Sequence, residues 1–199
     1  MKIRPRLFVG SLIAAVAVIG VFAWTQRSDG NDDTPLDAQL SDPGAVVTFP
    51  TGGLGNDAVE GDPFPDVVLL DADDKEVTTA DLLGRPLVVN LWFSTCPPCA
   101  KELPEFAEVD AERDDVRFIG VNTIDSVETM QRFAGDRGVQ YELLRDNFAE
   151  LADGIGAVAF PVTLFVTSDG TIVQQSGALD ADELRSNIDA LMVAEGKLT

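Results

Sequence analysis

The stretch that most limits what this chain can fold into is Leu87-Val88-Val89-Asn90-Leu91-Trp92-Phe93, followed by Ser94-Thr95 and then Cys96-Pro97-Pro98-Cys99. A nearly continuous apolar run of this length reads as a strand buried on both faces of a sheet. Residues 100–113 are rich in good helix formers, so strand, short loop and helix place Cys96 at a helix amino terminus. Unsatisfied N–H groups and the positive end of the helix dipole stabilise an anion there. Cys96 is therefore expected to have a lowered pKa and to be the attacking sulfur. Cys99, one turn further in, is expected to be more buried and to act as the resolving thiol, which attacks a mixed disulfide from within. Pro97 and Pro98 suit a first helical turn, yet they remove two donors that a thiolate could use.

The rest of the composition narrows the chemistry by exclusion. The 199 residues contain no histidine, which removes Ser-His and Cys-His catalysis, His-ligated metals and an imidazole switch. Cys96 and Cys99 are the only cysteines, too few for a disulfide scaffold, a zinc site or an iron–sulfur cluster. Half of a metal site and a structural disulfide are the bland alternatives, and no second ligand pair supports the first. The reading is a redox dithiol, with no metal and no cofactor besides the Cys96–Cys99 pair. With 14 Lys and Arg against 34 Asp and Glu, a formal charge of −20, the chain lacks the clustered cations that a nucleic-acid partner requires.

That charge is unevenly spread. Lys2, Arg4, Arg6 and Arg27 are the only charged residues in positions 1–28, which leaves 10 cations against 34 acids, near −24, for the remainder. Residues 7–24 form an uncharged run of 18 residues, about 27 Å of helix against roughly 30 Å of bilayer core. Cations precede the run and acids follow it, so the amino terminus is expected in the cytoplasm and the rest outside. The run exceeds the usual apolar region of a signal peptide, and Val21-Phe22-Ala23 is a weak cleavage site. Residues 1–27 are read as an uncleaved single-pass anchor in the cytoplasmic membrane, the alternative being a cleaved signal peptide and a secreted protein. Residues 28–59 turn to Asp, Gly, Pro, Thr and Asn without apolar periodicity, a flexible linker with a reach of roughly 30 Å. Residues 60–199 make the folded domain.

Several segments together resemble a known family. They are Gly61-Asp-Pro-Phe-Pro-Asp66, Leu82-Leu-Gly-Arg-Pro-Leu-Val-Val-Asn90, Trp92, the Cys-Pro-Pro-Cys pair, Lys101-Glu102-Leu103-Pro104 and Phe160-Pro-Val-Thr-Leu-Phe165. They are similar to the TlpA/ResA family of membrane-anchored thioredoxin-like thiol-disulfide oxidoreductases, within the redoxin/AhpC-TSA superfamily, over residues 61–192. The resemblance implies an α/β thioredoxin-like fold with a central β-α insertion, preceded by one transmembrane helix and a linker. It also implies exchange of disulfides with protein substrates outside the cytoplasmic membrane, and a membrane electron-transfer partner. Reduction, for example in cytochrome c maturation, is the direction expected. An oxidant of secreted proteins and a thiol peroxidase are the alternatives. The peroxidase would want a Pro-x-x-x-Thr-x-x-Cys context, whereas Phe93 stands three before Cys96.

Individual positions follow from the same resemblance. Pro161 matches a proline held in a cis peptide beside the active-site sulfurs, leaving the backbone at Phe160 free to pair with an extended substrate strand. Glu102 matches an acid placed behind the dithiol, where a partly buried carboxyl with a raised pKa would exchange protons with Cys99. A surface glutamate is its alternative reading. Pro104 matches a kink in the active-site helix. Asn90 stands where cytoplasmic thioredoxins carry a buried Asp, which shifts the expected proton carrier to Glu102. Thr95 precedes the first cysteine where most relatives have Trp, and Trp92 is read as core beside the site.

The remaining segments are expected to complete the domain. Residues 67–70 read as a short strand, 116–122 as a central strand, and 126–136 as the inserted helix with a cap at Asp125 or Ser126. Residues 146–154 read as a short helix, and 162–166 and 171–175 as a hairpin around Ser168-Asp169-Gly170. An amphipathic helix over 180–194 buries Leu184, Ile188, Leu191 and Met192.

Overall fold

A computed structural model describes residues 55–197. The expected membrane anchor, and the expected linker up to residue 54, lie outside the described residues. Among those described, no helix is long and apolar enough to cross a membrane. Asn56 and Val59, within the expected linker, are buried against the domain.

Burial of the apolar run sets the architecture. It forms β3 (Leu87–Trp92), all six residues of which are buried. Before it come β1 (Val68–Leu70), β2 (Glu76–Thr78) and a 3-10 turn (Thr79–Leu82); after it come α1 (Pro97–Glu112) and β4 (Arg117–Asn122). The chain continues through α2 (Val127–Gly135), β5 (Glu142–Arg145), α3 (Glu150–Gly154), β6 (Val162–Val166), β7 (Ile172–Ser176) and α4 (Ala181–Ala194). The strands make one sheet in the order β2-β1-β5-β4-β3-β6-β7. Strand β3 runs parallel to β4 and antiparallel to β6, so hydrogen bonds flank it on both edges.

The period of two along β3 divides the core. Leu87, Val89 and Leu91 face one side, with Leu69, Ile119 and Leu164. Val88 faces the other, among Phe106 of α1 and Ile188 and Leu191 of α4. Two positions further along that second face is Asn90, and two beyond it Trp92, which packs with Cys96, Cys99 and Leu103. One face of one strand therefore runs from hydrophobic core to the cysteine pair. Gly120 on β4 makes this possible. A Cβ there would stand 2.7 Å from Leu143 Cδ2 and 3.1 Å from Trp92 Nε1, so any side chain would push Leu143 aside and crowd the indole.

The segment between β4 and β6 differs in detail from the expectation. Ser126 is the cap of α2, its side chain accepting the Thr129 N–H, while Asp125 bonds elsewhere. The crossover through α2 delivers β5 parallel to β4, a strand that residue patterning did not indicate. Helix α3 starts at Glu150, four residues later than expected. Asp146 is held by its N–H on Asn122 O, at 2.8 Å. From there its carboxylate accepts the N–H groups of Leu151 and Ala152, at 3.1 and 2.9 Å, capping α3 from outside. Asp180 caps α4 in a reciprocal box with Glu183, and the four expected inward residues are buried.

Candidate active site

The turn from β3 into α1 is built to hold a sulfur at a helix end. Cys96 is the residue capping α1, with Pro97 and Pro98 in the first two helical positions. Neither proline has an N–H, so Cys99 supplies the first free one, which donates to Cys96 Sγ at 3.3 Å. The next, that of Ala100, donates to Cys96 O at 3.0 Å. Cys96 and Cys99 form a disulfide; Cys96 keeps 4 % of its surface exposed and Cys99 none. Attack from outside is thus directed to Cys96, and Cys99 is reachable only from within the helix.

The loop ahead of the helix is clamped from β4. Asp125 accepts the Ser94 N–H at 2.7 Å and the Ser94 hydroxyl at 2.6 Å. It is itself held by Asn122, which donates from Nδ2 to the carboxylate and accepts the Asp125 N–H, both at 2.7 Å. This clamp was not anticipated as part of the site. Its local signal is the Asn122-Thr-Ile-Asp125 turn at a strand end, where side chains bond nearby backbone.

Glu102 lies behind the pair, one helical turn past Cys99 and only 2 % exposed. Its carboxylate accepts Asn90 Nδ2–H at 2.9 Å and the Leu179 N–H at 3.2 Å. Asn90 Nδ2 also donates to Thr163 Oγ1, at 3.1 Å. Burial pushes the Glu102 pKa up to about 7, against the opposing pull of those two donors. Pro98, Lys101, Glu102, Glu105, Leu179 and Glu183 line a cleft of about 280 Å³, so the buried carboxyl borders space open toward solvent. The carboxyl is thus poised between its charged and neutral forms near pH 7 at the edge of that cleft.

On the other side of the disulfide stands the loop that ends in the cis peptide Phe160–Pro161. Among the described residues no hydrogen bond engages the Phe160 N–H or C=O, which leaves both for a partner strand. The Phe160 ring packs edge-on against Phe93, centroids 5.4 Å apart. The two residues ahead of it are fixed by Asn56. Its Oδ1 accepts the N–H groups of Val158 and Ala159, each at 2.8 Å, and its Nδ2 donates to Ala159 O at 2.9 Å. Asn56, more than a hundred positions away in sequence, gave no signal as a site residue. With Pro98, Phe160 and Pro161 it lines a smaller cleft of about 160 Å³.

The structure thus gathers Cys96, Cys99, Trp92, Pro97, Pro98, Glu102, Asn90, Phe160 and Pro161 around one turn. Trp92 is fully buried and stacks on Phe133 at 5.8 Å. Pro104 lies inside α1, beyond Glu102 and exposed. Among the described residues no group of three or more His, Cys, Asp or Glu is placed to hold a metal ion.

The chain is similar to several known proteins. The AhpC/TSA family matches residues 60–175. The thiol-disulfide oxidoreductase ResA of Halalkalibacterium halodurans is 28 % identical over 116 residues, covering 57 % of this chain and 66 % of that protein. The soluble secreted antigen MPT53 of Mycobacterium bovis is 31 % identical over 120 residues, covering 56 % and 66 % respectively. The chain therefore spans slightly less than two thirds of the length of the ResA proteins of Halalkalibacterium halodurans and Bacillus subtilis. Among solved structures, MTB dsbF has a TM-score of 0.58 at 29 % identity, covering 63 % of this chain and 95 % of that one. A secreted Mycobacterium tuberculosis disulfide oxidoreductase homologous to E. coli DsbE has 0.56 at 26 %, covering 63 % and 96 %. The α/β fold is thioredoxin-like.

Proposed function

Since this chain belongs to the AhpC/TSA family, we propose that it is a protein thiol–disulfide oxidoreductase that works outside the cytoplasmic membrane and reduces its substrates. The observation that carries the reading is the position of Cys96: a helix-capping sulfur, at the surface end of a pair whose second member is sealed behind it. The names of the relatives, a thiol-disulfide oxidoreductase and a secreted antigen, support the activity and the compartment.

In the reducing direction the dithiol form starts the cycle. The Cys96 thiolate attacks one sulfur of a substrate disulfide and forms a mixed disulfide, while the other substrate sulfur leaves as a thiolate and takes up a proton. The substrate strand lies along the free backbone of Phe160, which fixes its sulfur over Cys96. Glu102, ionised in part near pH 7, accepts the Cys99 proton. The Cys99 thiolate then attacks Cys96 Sγ, closing the Cys96–Cys99 disulfide and expelling the second substrate sulfur as a thiol. Two electrons have passed from the protein to the substrate. A membrane electron donor restores the dithiol, and residues 1–27 anchor the domain beside it. Apocytochrome c is the substrate class that fits such a reductase.

An insulin-reduction assay on the full chain in detergent, with dithiothreitol as donor, tests the activity. Wild type accelerates precipitation of the insulin B chain and Cys96→Ser does not; a wild type without effect overturns the reading. A reduction potential near −270 mV supports the reducing direction, and one near −120 mV makes the protein an oxidant.

A further inference from the structure

Helix α1 contains a defect of its own making. Pro104 stands inside it without an N–H, so the carbonyl of Ala100, four residues earlier, lacks the usual backbone donor. Ala100 directly follows Cys99, and its own N–H closes the first turn on Cys96 O at 3.0 Å. The orphaned carbonyl therefore belongs to the turn that carries both sulfurs.

The donor that reaches it comes from the inserted segment. Arg137 Nε donates to Ala100 O at 3.2 Å. The same guanidinium donates from Nη1 to Phe133 O at 2.9 Å, one of the carbonyls left open at the end of α2. Its central carbon lies 3.5 Å from the centre of the Phe133 ring, which stacks in turn on Trp92 in the cysteine cluster. The turn after α2 makes this pose available. Gly138 adopts a φ of 83°, and a Cβ there would lie 3.7 Å from Ala107 of α1, so the turn rests on that helix. Among the described residues no carboxylate forms an ion pair with Arg137, in contrast to Arg113, Arg117, Arg145 and Arg185. Its positive charge sits against the carbonyl of the residue that follows Cys99.

We propose that Arg137 is a positioning residue for the dithiol: it gives Ala100 the hydrogen bond that Pro104 withholds, fixes the turn carrying Cys96 and Cys99, and favours the Cys96 thiolate. Arginine suits the task because its planar fork donates in two directions while lying flat on a ring, which an ammonium cannot do. The inserted α2 thereby acts on the redox pair without touching substrate. This inference rests on the proposed thiol–disulfide exchange.

The test uses the full chain in detergent, equilibrated with glutathione buffers, together with the pH dependence of Cys96 alkylation by iodoacetamide. Arg137→Gln is expected to shift the equilibrium toward the disulfide about threefold, equivalent to about 14 mV at 29.6 mV per tenfold. The Cys96 thiolate fraction at pH 7 is expected to fall by about threefold as well, since the lost charge sits against the turn that carries the sulfur. Arg137→Lys, which keeps the charge and loses the fork, should show a smaller shift in the same direction. Pro104→Ala restores a backbone N–H to Ala100 O, so in that background Arg137→Gln should have less than half its effect on the equilibrium.

Wild-type potential and alkylation rate in both Arg137 variants would overturn the proposal, as would equal effects with and without Pro104. If Arg137→Gln does not fold, Arg137→Lys in the two backgrounds decides the same question. A wild-type dithiol that fails to exchange with glutathione at all refutes the oxidoreductase reading; normal exchange with indifferent Arg137 variants refutes only the role of Arg137.

Discussion

Helix α4 starts at Asp180, whose carboxylate accepts the Glu183 N–H at 2.9 Å while the Glu183 carboxylate accepts the Asp180 N–H at 3.1 Å. Helix α1 starts at Cys96, whose sulfur accepts one N–H, that of Cys99, at 3.3 Å. Both ends present the same orphan donors and the same dipole. In α4 they meet permanent charges, since Asp182 and Glu183 occupy its first turn. In α1 the first turn has no acid and two prolines, so the dipole is left for whatever charge the sulfur acquires. One end is closed by a carboxylate and serves stability. The other is closed by a group whose charge appears only when the disulfide opens, which is what the proposed exchange requires.

The contrast can be broken most severely at Cys96. Cys96→Ser keeps an oxygen that caps the helix but removes the nucleophile. Insulin reduction should fall by at least ~10³-fold, whereas stability relative to reduced wild type should change by less than about 1 kcal/mol in urea melts.

Glu102→Gln comes next, with an expected loss of roughly 10²-fold in disulfide reduction and of the rate inflection near neutrality. It also carries a stability signature. The folded pKa, about 7, lies above the ordinary glutamate value of 4.5, so the fold holds a proton that the unfolded chain releases. The associated stability is complete below pH about 4.5 and is lost as pH rises through about 7, on the order of 3 kcal/mol in all. Glu102→Gln should flatten that dependence in melts between pH 4 and 8.

Asp180→Ala addresses the other helix. It should cost about 1 kcal/mol of stability and disturb reduction less than Glu102→Gln does, since Asp180 borders the cleft beside Glu102 but makes no bond to that carboxyl. A large kinetic loss with unchanged stability would reverse the assignment of the two ends. The smallest effect is expected at Pro97→Gly, which adds one N–H to the sulfur's side of the helix. The Cys96 pKa, read by alkylation, should fall by about half a unit; no fall would show that the prolines do not moderate the thiolate.

Where a feature is made by neighbours in sequence, it was legible. The strand, loop, helix and cysteine pair over residues 87–112 form one continuous unit, and the helical spacing of Leu184, Ile188, Leu191 and Met192 announces α4. Features made by distant partners were not. Strand β5 is only Glu-Leu-Leu-Arg, with adjacent rather than alternating apolar residues, and its register comes from β4 and β1. The Glu102 pKa is set first by burial, then opposed by Asn90 and by a Leu179 N–H that arrives from 77 residues away. Asp125 was weighed as a helix cap, but its carboxylate is already occupied by Ser94, a bond that exists only once β3 and β4 lie side by side.

The Asn56 side chain is, finally, a mechanical junction. Tension carried along the chain from upstream of residue 55 reaches its three bonds to Val158 and Ala159 before it reaches any strand. Only then does it load the bonds along the β7 edge, from Gly61 to Ile172 at 2.7 Å, Ile172 to Asp62 at 2.9 Å and Phe64 to Gly170 at 2.7 Å. Rupture of the first set frees the two residues that present Phe160 while β3, β4 and β6 remain paired.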